Sequence, residues 1–456
     1  MNINKIVQKQ KSFFLSHKTK DVSFRKNSLK KLLHEIKEKE KEIINAINSD
    51  FGKSEYETVM TETSVIIAEL NLTLRNIKKW SKPQKTLPSL LNFPSIAKIY
   101  KEPYGNTLII SPWNYPFQLA FAPLIGAIAA GNTVLLKPSE HTSNTSSIIR
   151  KIIENVFSPE HVSVIEGDAS VSEKLLKIRW DYIFFTGSTS IGKIVAKAAA
   201  EHLTPITLEL GGKSPCIIDE SANLKLAAKR ILWGKFINCG QTCISPDYIL
   251  IHTSVKEKFI TYFQQELREA YGENPELSQD FPRIINSVNF NRLRKMMEHK
   301  IILGGQINEK DLYISPTLID EPELNSKVMQ EEIFGPILPI ISYSSISKIN
   351  KIVSQNDKPL AFYVFSKKKS FVNQMISKYS FGGGTINDTT VHFVNHRLPF
   401  GGVGKSGMGS YHGKRSFNTF THQKGIVFRA NWLDIQTRYA PYKGKLKQLK
   451  TLMKFG

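Results

Sequence analysis

The chain has 456 residues, enough for two to four domains at roughly 100–200 residues each and for a large buried core. Hydrophobic residues at 41% and charged residues at 22% lie near globular averages, which excludes a disordered or collagen-like chain. Sixty-two basic against 40 acidic residues leave +22, a balance that suits a polyanion partner or a lysine-rich composition; the lysines are scattered along the whole chain, which favours the second.

The basic N-terminus has only Phe13-Phe14-Leu15 as an apolar run, too short for a signal peptide. Leu29, Leu32, Leu33, Ile36, Ile43, Ile44 and Ile47 recur at steps of three and four, which predicts an amphipathic helix ending near Gly52. Residues 82–94 contain Pro83, Pro88 and Pro94 and are expected to cross between elements without helix. From Thr107 the pattern changes. Apolar runs at 108–110, 134–136, 162–165, 182–185 and 207–210 alternate with helical stretches at 145–156 and 191–201, which reads as a doubly wound α/β sheet. The longest apolar stretch, 117–136, is interrupted by Pro123, Gly126, Gly131 and Asn132. It predicts a buried helix followed by a strand rather than a membrane span, so the protein is expected to be soluble and cytoplasmic. A second α/β series follows Gly211-Gly212, with strands at 216–218 and 248–251 and helices at 224–236 and from 255. The two series meet near 209–213. From Gly401 to Gly456 there are eleven Lys/Arg against one acid, Asp434, a local +10. Leu446, Leu449, Leu452 and Met453 sit at helical spacing among Lys443, Lys445, Lys447, Lys450 and Lys454. That pattern suits a solvated helix packed on its own domain or a partner, or a helix docked on a membrane surface.

Cys216, Cys239 and Cys243 are too few, and odd in number, for a disulfide scaffold, and fit a reducing compartment. Cys243 ends Asn238-Cys239-Gly240-Gln241-Thr242-Cys243, where the glycine allows close approach of backbone and substrate. A thiol attacks only as thiolate and so needs an electropositive or helix-terminal setting; otherwise Cys243 is a buried small hydrophobe. Cys239 has no second Cys/His pair at zinc spacing, so no metal site is expected. Glu209 lies in the apolar run Thr207-Leu208-Glu209-Leu210, where a charged carboxylate is costly to bury. It therefore has a raised pKa suited to a general base, or it caps or pairs. Phe185-Thr186-Gly187-Ser188-Thr189-Ser190-Ile191-Gly192 follows a strand and opens a helix, a placement for phosphate, although it has two glycines and not the three of the usual fingerprint. Lys137-Pro138-Ser139-Glu140 also follows a strand and suits ribose hydroxyls or a solvated loop. Asn114, between Pro112 and Pro116, is an oxyanion donor or an Asx turn. Glu331-Glu332-Ile333-Phe334-Gly335-Pro336 is a paired-acid loop able to hold a hydroxylated ligand.

Taken in order, Pro112-Trp113-Asn114, Lys137-Pro138-Ser139-Glu140, Phe185-Thr186-Gly187-Ser188, Leu208-Glu209-Leu210-Gly211-Gly212-Lys213, Gly240-Gln241-Thr242-Cys243, Glu332-Ile333-Phe334-Gly335-Pro336 and Pro399-Phe400-Gly401-Gly402 resemble an aldehyde dehydrogenase over about 35–428. Tyr411-His412-Gly413-Lys414 and Ser416-Phe417 are similar to the class 3, or fatty-aldehyde, branch. The resemblance implies an α/β fold with a Rossmann-type cofactor domain at 1–84 and 104–211 and a catalytic domain at 212–405. It also implies a small oligomerisation β-element at 85–103 and 418–430, which leaves 431–456 as a basic tail where fatty-aldehyde members often carry an apolar anchor.

It further implies that Cys243 attacks the aldehyde carbon, that the Asn114 amide and the Cys243 N–H hold the oxyanion, and that Glu209 activates water to hydrolyse the thioester. Lys137 and Glu140 would contact the adenosine ribose; Gly187, Ser188 and Gly192 the pyrophosphate; Glu332 the nicotinamide ribose, with Phe334 beside the ring. Lys137 tolerates a 2′-phosphate and Glu140 repels one, so NAD with some NADP use is expected. Tyr115, Trp233, Thr242 and Phe400 would line a pocket for medium- or long-chain aliphatic or aromatic aldehydes. A homodimer is expected, with no specific nucleic-acid partner and with membrane contact, if any, through the basic tail. Competing readings are a thiol esterase without nicotinamide and an acyl-CoA or acyl-phosphate reductase; Glu209 argues for water as the acyl acceptor.

Overall fold

The computed structural model describes residues 3–89 and 92–455. Among the described residues three sheets of three or more strands organise the chain, beside a two-stranded ribbon of Ile307–Asn308 and Tyr313–Ile314. The first has six strands in the order Gly407–Met408, Ile206–Glu209, Tyr182–Thr186, Asn106–Ile110, Thr133–Lys137 and Val162–Val164. All neighbours are parallel except the first pair. The inner strands of this sheet, at 106–110, 133–137 and 182–186, are buried along their whole length, which is why they read as unbroken apolar runs rather than alternating ones. The crossover helix Gln118–Ala130 is buried at every position and ends at Gly131, whose φ of 101° only glycine adopts easily. The expected buried helix and following strand are therefore both present.

The second sheet has seven strands in the order Ile301–Leu303, Thr317–Asp320, Ile337–Tyr343, Tyr248–His252, Pro215–Ile218, Ala361–Phe365 and Gly383–Ile386. It is parallel but for its first pair. The helix Leu224–Phe236 lies where the periodicity predicts it. A third, antiparallel sheet joins Gln84–Thr86, Ser95–Pro103 and Thr421–Arg429.

The helix expected over 29–47 is two helices, Val22–Glu38 and Glu40–Phe51. Lys39 breaks them at φ −96°, ψ 5°, while Ile36 and Ile43 stay buried on either side. The apolar stripe continues across the break, so spacing alone could not reveal it. The segment 82–94 has no α-helix in its described part, only a 3-10 position at Asn92, and contributes a short strand; Leu90 and Leu91 lie outside the described residues. The basic tail forms the helix Leu446–Leu452, with Leu446 and Leu449 exposed. Among the described residues no helix is long and apolar enough to cross a membrane.

Candidate active site

The carboxyl ends of the first sheet's strands deliver Asn114, Thr186 and Glu209 to one cleft. Cys243 enters it from a loop of unusual backbone. Asn238, Cys239 and Gly240 have φ of 54°, 56° and 73°, three successive left-handed residues. A Cβ at Gly240 would collide with the Gly335 carbonyl oxygen, so this position accepts no side chain.

The turn is held from all sides. Asn238 accepts nothing on its side-chain oxygen but donates through Nδ2 to the carbonyls of Asn114 (2.7 Å) and Gln241 (3.1 Å). Its backbone N–H donates to Glu57 Oε1 at 2.8 Å. The Gln241 side chain donates to Asn238 and Arg283 carbonyls and accepts from Ile285 N–H.

Two cavities meet at Cys243. One, of about 190 Å³, is apolar and is lined by Tyr115, Trp233, Thr242 and Phe400, all four predicted pocket residues, together with Met60, Val65, Val391 and Val394. The other, of about 560 Å³, is a groove lined by Asn114, Gly187, Ser188, Glu332 and Phe334. Leu119, Thr186, Glu209, Leu210 and Cys243 border both.

Both Glu209 oxygens are buried without a hydrogen-bond partner among the described residues. Burial holds this carboxyl well above the usual carboxylate range. Among the described residues no cation acts on Cys243, so of the two settings that would favour a thiolate the electropositive one is not present. Burial, and then the Glu332 and Glu209 carboxylates, push its thiol well up, while the N–H groups of Cys243 and Ile244 act the other way. Resting Cys243 is therefore a thiol, and the charges that act on it most are those of two carboxyls.

Asn114 makes no Asx turn: its Nδ2 donates to the Gln241 carbonyl at 3.0 Å, which leaves one amide hydrogen for the groove. Tyr115 and Thr242 share a 2.7 Å hydroxyl hydrogen bond. Phe334, at φ 53°, packs edge-on against Trp113 with centroids 5.3 Å apart. Glu332 lies over Gly211, where a Cβ would strike its carboxylate, and burial followed by the Asp247 charge pushes it up to about 8. Ser188 caps the helix Thr189–Glu201. Gly192 differs from expectation: it sits inside that helix against Leu210, where a Cβ would come within 2.7 Å of Leu210 Cδ2, and it does not line the groove. Lys137 and Glu140 are also outside the groove lining and pair with each other at 2.9 Å.

Sequence reasoning missed the supports. Lys213 bonds Asp247 and the carbonyls of Val328 and Glu331, and Asp247 accepts from Ile333 N–H, so this buried pair fixes the acidic loop. Arg292 donates to the Glu332 and Ile333 carbonyls. Lys53 pairs with Glu62 at 2.8 Å, both fully buried, and stands 4.1 Å over the Tyr115 ring. No motif marks Asp247, Arg292, Lys53 or Glu62, and Lys213 stood in the Gly211-Gly212-Lys213 segment without a role of its own. Gln241 and Tyr411 did lie in segments that drew attention, and a buried amide beside a nucleophile was the available signal.

The groove fits a dinucleotide. Glycines at 187 and 211 keep its walls low, a capped helix of 13 residues opens onto it, and an unpartnered carboxyl waits where it meets the thiol. A parallel sheet that brings such a groove and an apolar passage to one cysteine defines a dinucleotide-dependent oxidoreductase. The family profile described as the aldehyde dehydrogenase family matches residues 1–426, and the chain belongs to that family.

Among its relatives, a 4,4′-diaponeurosporen-aldehyde dehydrogenase of Staphylococcus aureus is 48% identical over 447 residues, 97% of each chain. A dimeric NADP-preferring aldehyde dehydrogenase of Canis lupus familiaris is 41% identical over 97% of this chain and 99% of its own. A solved structure of the substrate-bound state of Staphylococcus aureus AldH superposes with a TM-score of 0.97 at 47% identity, covering 99% of this chain and 100% of that one. The protein is an oxidoreductase that acts on aldehydes and uses NAD or NADP.

Proposed function

We propose that the chain oxidises a long-chain apolar aldehyde to its carboxylic acid through a thioester on Cys243. The observation that carries this reading is the shared wall: one thiol and one unpartnered carboxyl border both an apolar passage and a dinucleotide-sized groove. The aldehyde enters along Tyr115, Trp233, Val391 and Phe400. The Cys243 thiol loses its proton to Glu332 in its ionised form, and its sulfur bonds the carbonyl carbon. The free Asn114 amide hydrogen and the Cys243 N–H hold the oxyanion. When bound, the nicotinamide supplies a hydride acceptor. Glu209, once ionised, takes a proton from water as that water attacks the thioester, and the acid leaves as the sulfur departs. An unpartnered carboxyl at this point supports water, rather than coenzyme A or phosphate, as the acyl acceptor.

Gly187, Ser188, Glu332 and Phe334 hold the dinucleotide in this reading, with Lys137 and Glu140 at its adenosine end. The relative that acts on diaponeurosporenal, together with the apolar passage, supports a long hydrocarbon substrate. Residues 1–84 with 104–211 serve the cofactor and 212–405 the catalytic lobe, while 85–103 with 418–430 join two chains in a cytoplasmic homodimer whose 431–456 tail is free to meet a membrane surface. Single-turnover kinetics with a long-chain aldehyde test the chemistry. Cys243→Ala is expected to fold and give no NADH. Glu209→Gln is expected to keep the NADH burst but slow the steady rate, and loss of that burst would remove the base assignment.

A further inference from the structure

The segment 391–400 serves two cavities. It gives Val391, Phe393, Val394 and Phe400 to the catalytic passage, but His396, Arg397 and Leu398 to a different cavity of about 630 Å³ that shares no lining residue with the first. The opposite wall of that second cavity carries Lys414, Arg415 and Asn418. Its lining contains no Asp or Glu. Arg397 and Lys414 are exposed and Arg415 reaches Ser410 Oγ at 3.3 Å; none of the three makes an ion pair among the described residues. Glu69 is buried, with one carboxylate oxygen 3.0 Å from His396 Nδ1 and the other accepting the Gly413 N–H at 3.0 Å. It pairs with none of the three cations. Burial and then the Lys414 charge hold the Lys101 pKa below its ordinary value, which registers the same one-signed field next door. Lys101 in turn donates to Asn418 Oδ1 at 2.7 Å, so the Asn418 amide hydrogens are left as donors.

The floor of the cavity adds an independent observation. His412 is 5% exposed, yet its Nδ1 has no partner among the described residues. Its backbone is held at φ 89°, a conformation rare outside glycine, with the ring stacked on Phe400 at 5.0 Å and 12°. Buried polar atoms in folded proteins are almost always paired, and strained residues cluster where a ligand is gripped.

We infer that this cavity binds a phosphate-type oxyanion, a monoester headgroup or free phosphate. Two guanidinium groups and an ammonium match a dianion better than a single carboxylate, because planar forks pair with tetrahedral oxygens two at a time. The Asn418 amide completes the donor set. The catalytic site contributes nothing to this cavity, so the inference stands or falls apart from the aldehyde chemistry.

Titration of the full chain, free of dinucleotide, with inorganic phosphate against chloride at matched ionic strength tests it, alongside flotation with vesicles containing phosphatidic acid. Saturable binding of phosphate is expected, weakened about tenfold or more in Arg397→Gln/Arg415→Gln and also in Lys414→Gln. Saturation by phosphate itself identifies a soluble source; binding of phosphatidic acid vesicles alone, with the same dependence on the arginines, identifies a lipid headgroup. Aldehyde turnover without phosphate is expected to stay at the parent level in these variants, which reports an intact fold. The inference is overturned if neither probe saturates, or if the variants bind both as the parent does.

Discussion

Glu332 and Glu209 carry opposite consequences of one cause. Each carboxyl is desolvated, so each keeps its proton to higher pH than an exposed glutamate. For Glu332 the folded value of about 8 lies above the ordinary 4.5. Between these pH values the folded chain binds a proton that the unfolded chain has lost, so stability is greatest below about 4.5 on this account and is lost as pH rises through 8. Glu332→Gln is expected to flatten that decline, read as the difference between the two proteins' thermal unfolding across this window; identical slopes would show that the carboxyl is not held protonated. For Glu209 the same burial means that base-dependent hydrolysis must rise with pH beyond the usual carboxylate range, and Glu209→Gln should remove the rise. Glu332 was marked in the sequence only as one of a paired-acid loop, whereas Glu209 stood out because an acid within an apolar run is expensive. The acidic, cation-free surroundings of Cys243 did not, because Glu332 reaches it from 89 positions further along a chain whose path no local pattern encodes.

At the scale of elements, the turn 238–240 and the wide π-helical turn Val59–Thr63 do the shaping. Gly240 is the one glycine of the turn and faces the Gly335 carbonyl. Gly240→Ala is expected to destabilise the fold by about 1–2 kcal/mol from the left-handed backbone alone. Because Cys243 lies three residues on, turnover should fall more than stability does; chemical denaturation and kcat on one preparation check this. The strands and most helices were legible because buried parallel strands are unbroken apolar runs and the crossover helices keep a 3.6 period. The π-helical turn was not: Met60 and Thr61 line the passage from a segment with no motif, and only the tertiary path brings them to Tyr115 and Trp233. The break at Lys39 escaped for the contrary reason, since its neighbours preserve the stripe.

Across the whole molecule, two of the sheet edges among the described residues stand out. Thr421–Arg429 ends the three-stranded sheet with Val427 and Phe428 about half exposed, and Gly383–Ile386 ends the seven-stranded one. A long edge strand with exposed apolar side chains invites pairing with another chain. If these edges build the proposed dimer, Val427→Asp/Phe428→Asp is expected to sediment as a monomer while the parent sediments at twice the chain mass; a parent monomer would refute the assignment. The net +22 is spread widely; it concentrates beside His412, where the cavity lining holds no acid, and in the tail, where Asp434 is the one acid.

The meeting of two openings on one sulfur has a consequence for the order of events. A hydrocarbon reactant can arrive, and its spent form back out, while the nucleotide stays seated across the cleft. An electrophilic lipid that alkylates this sulfur by the greasy route would then be blocked by rival aldehydes, and hardly at all by a filled nucleotide berth.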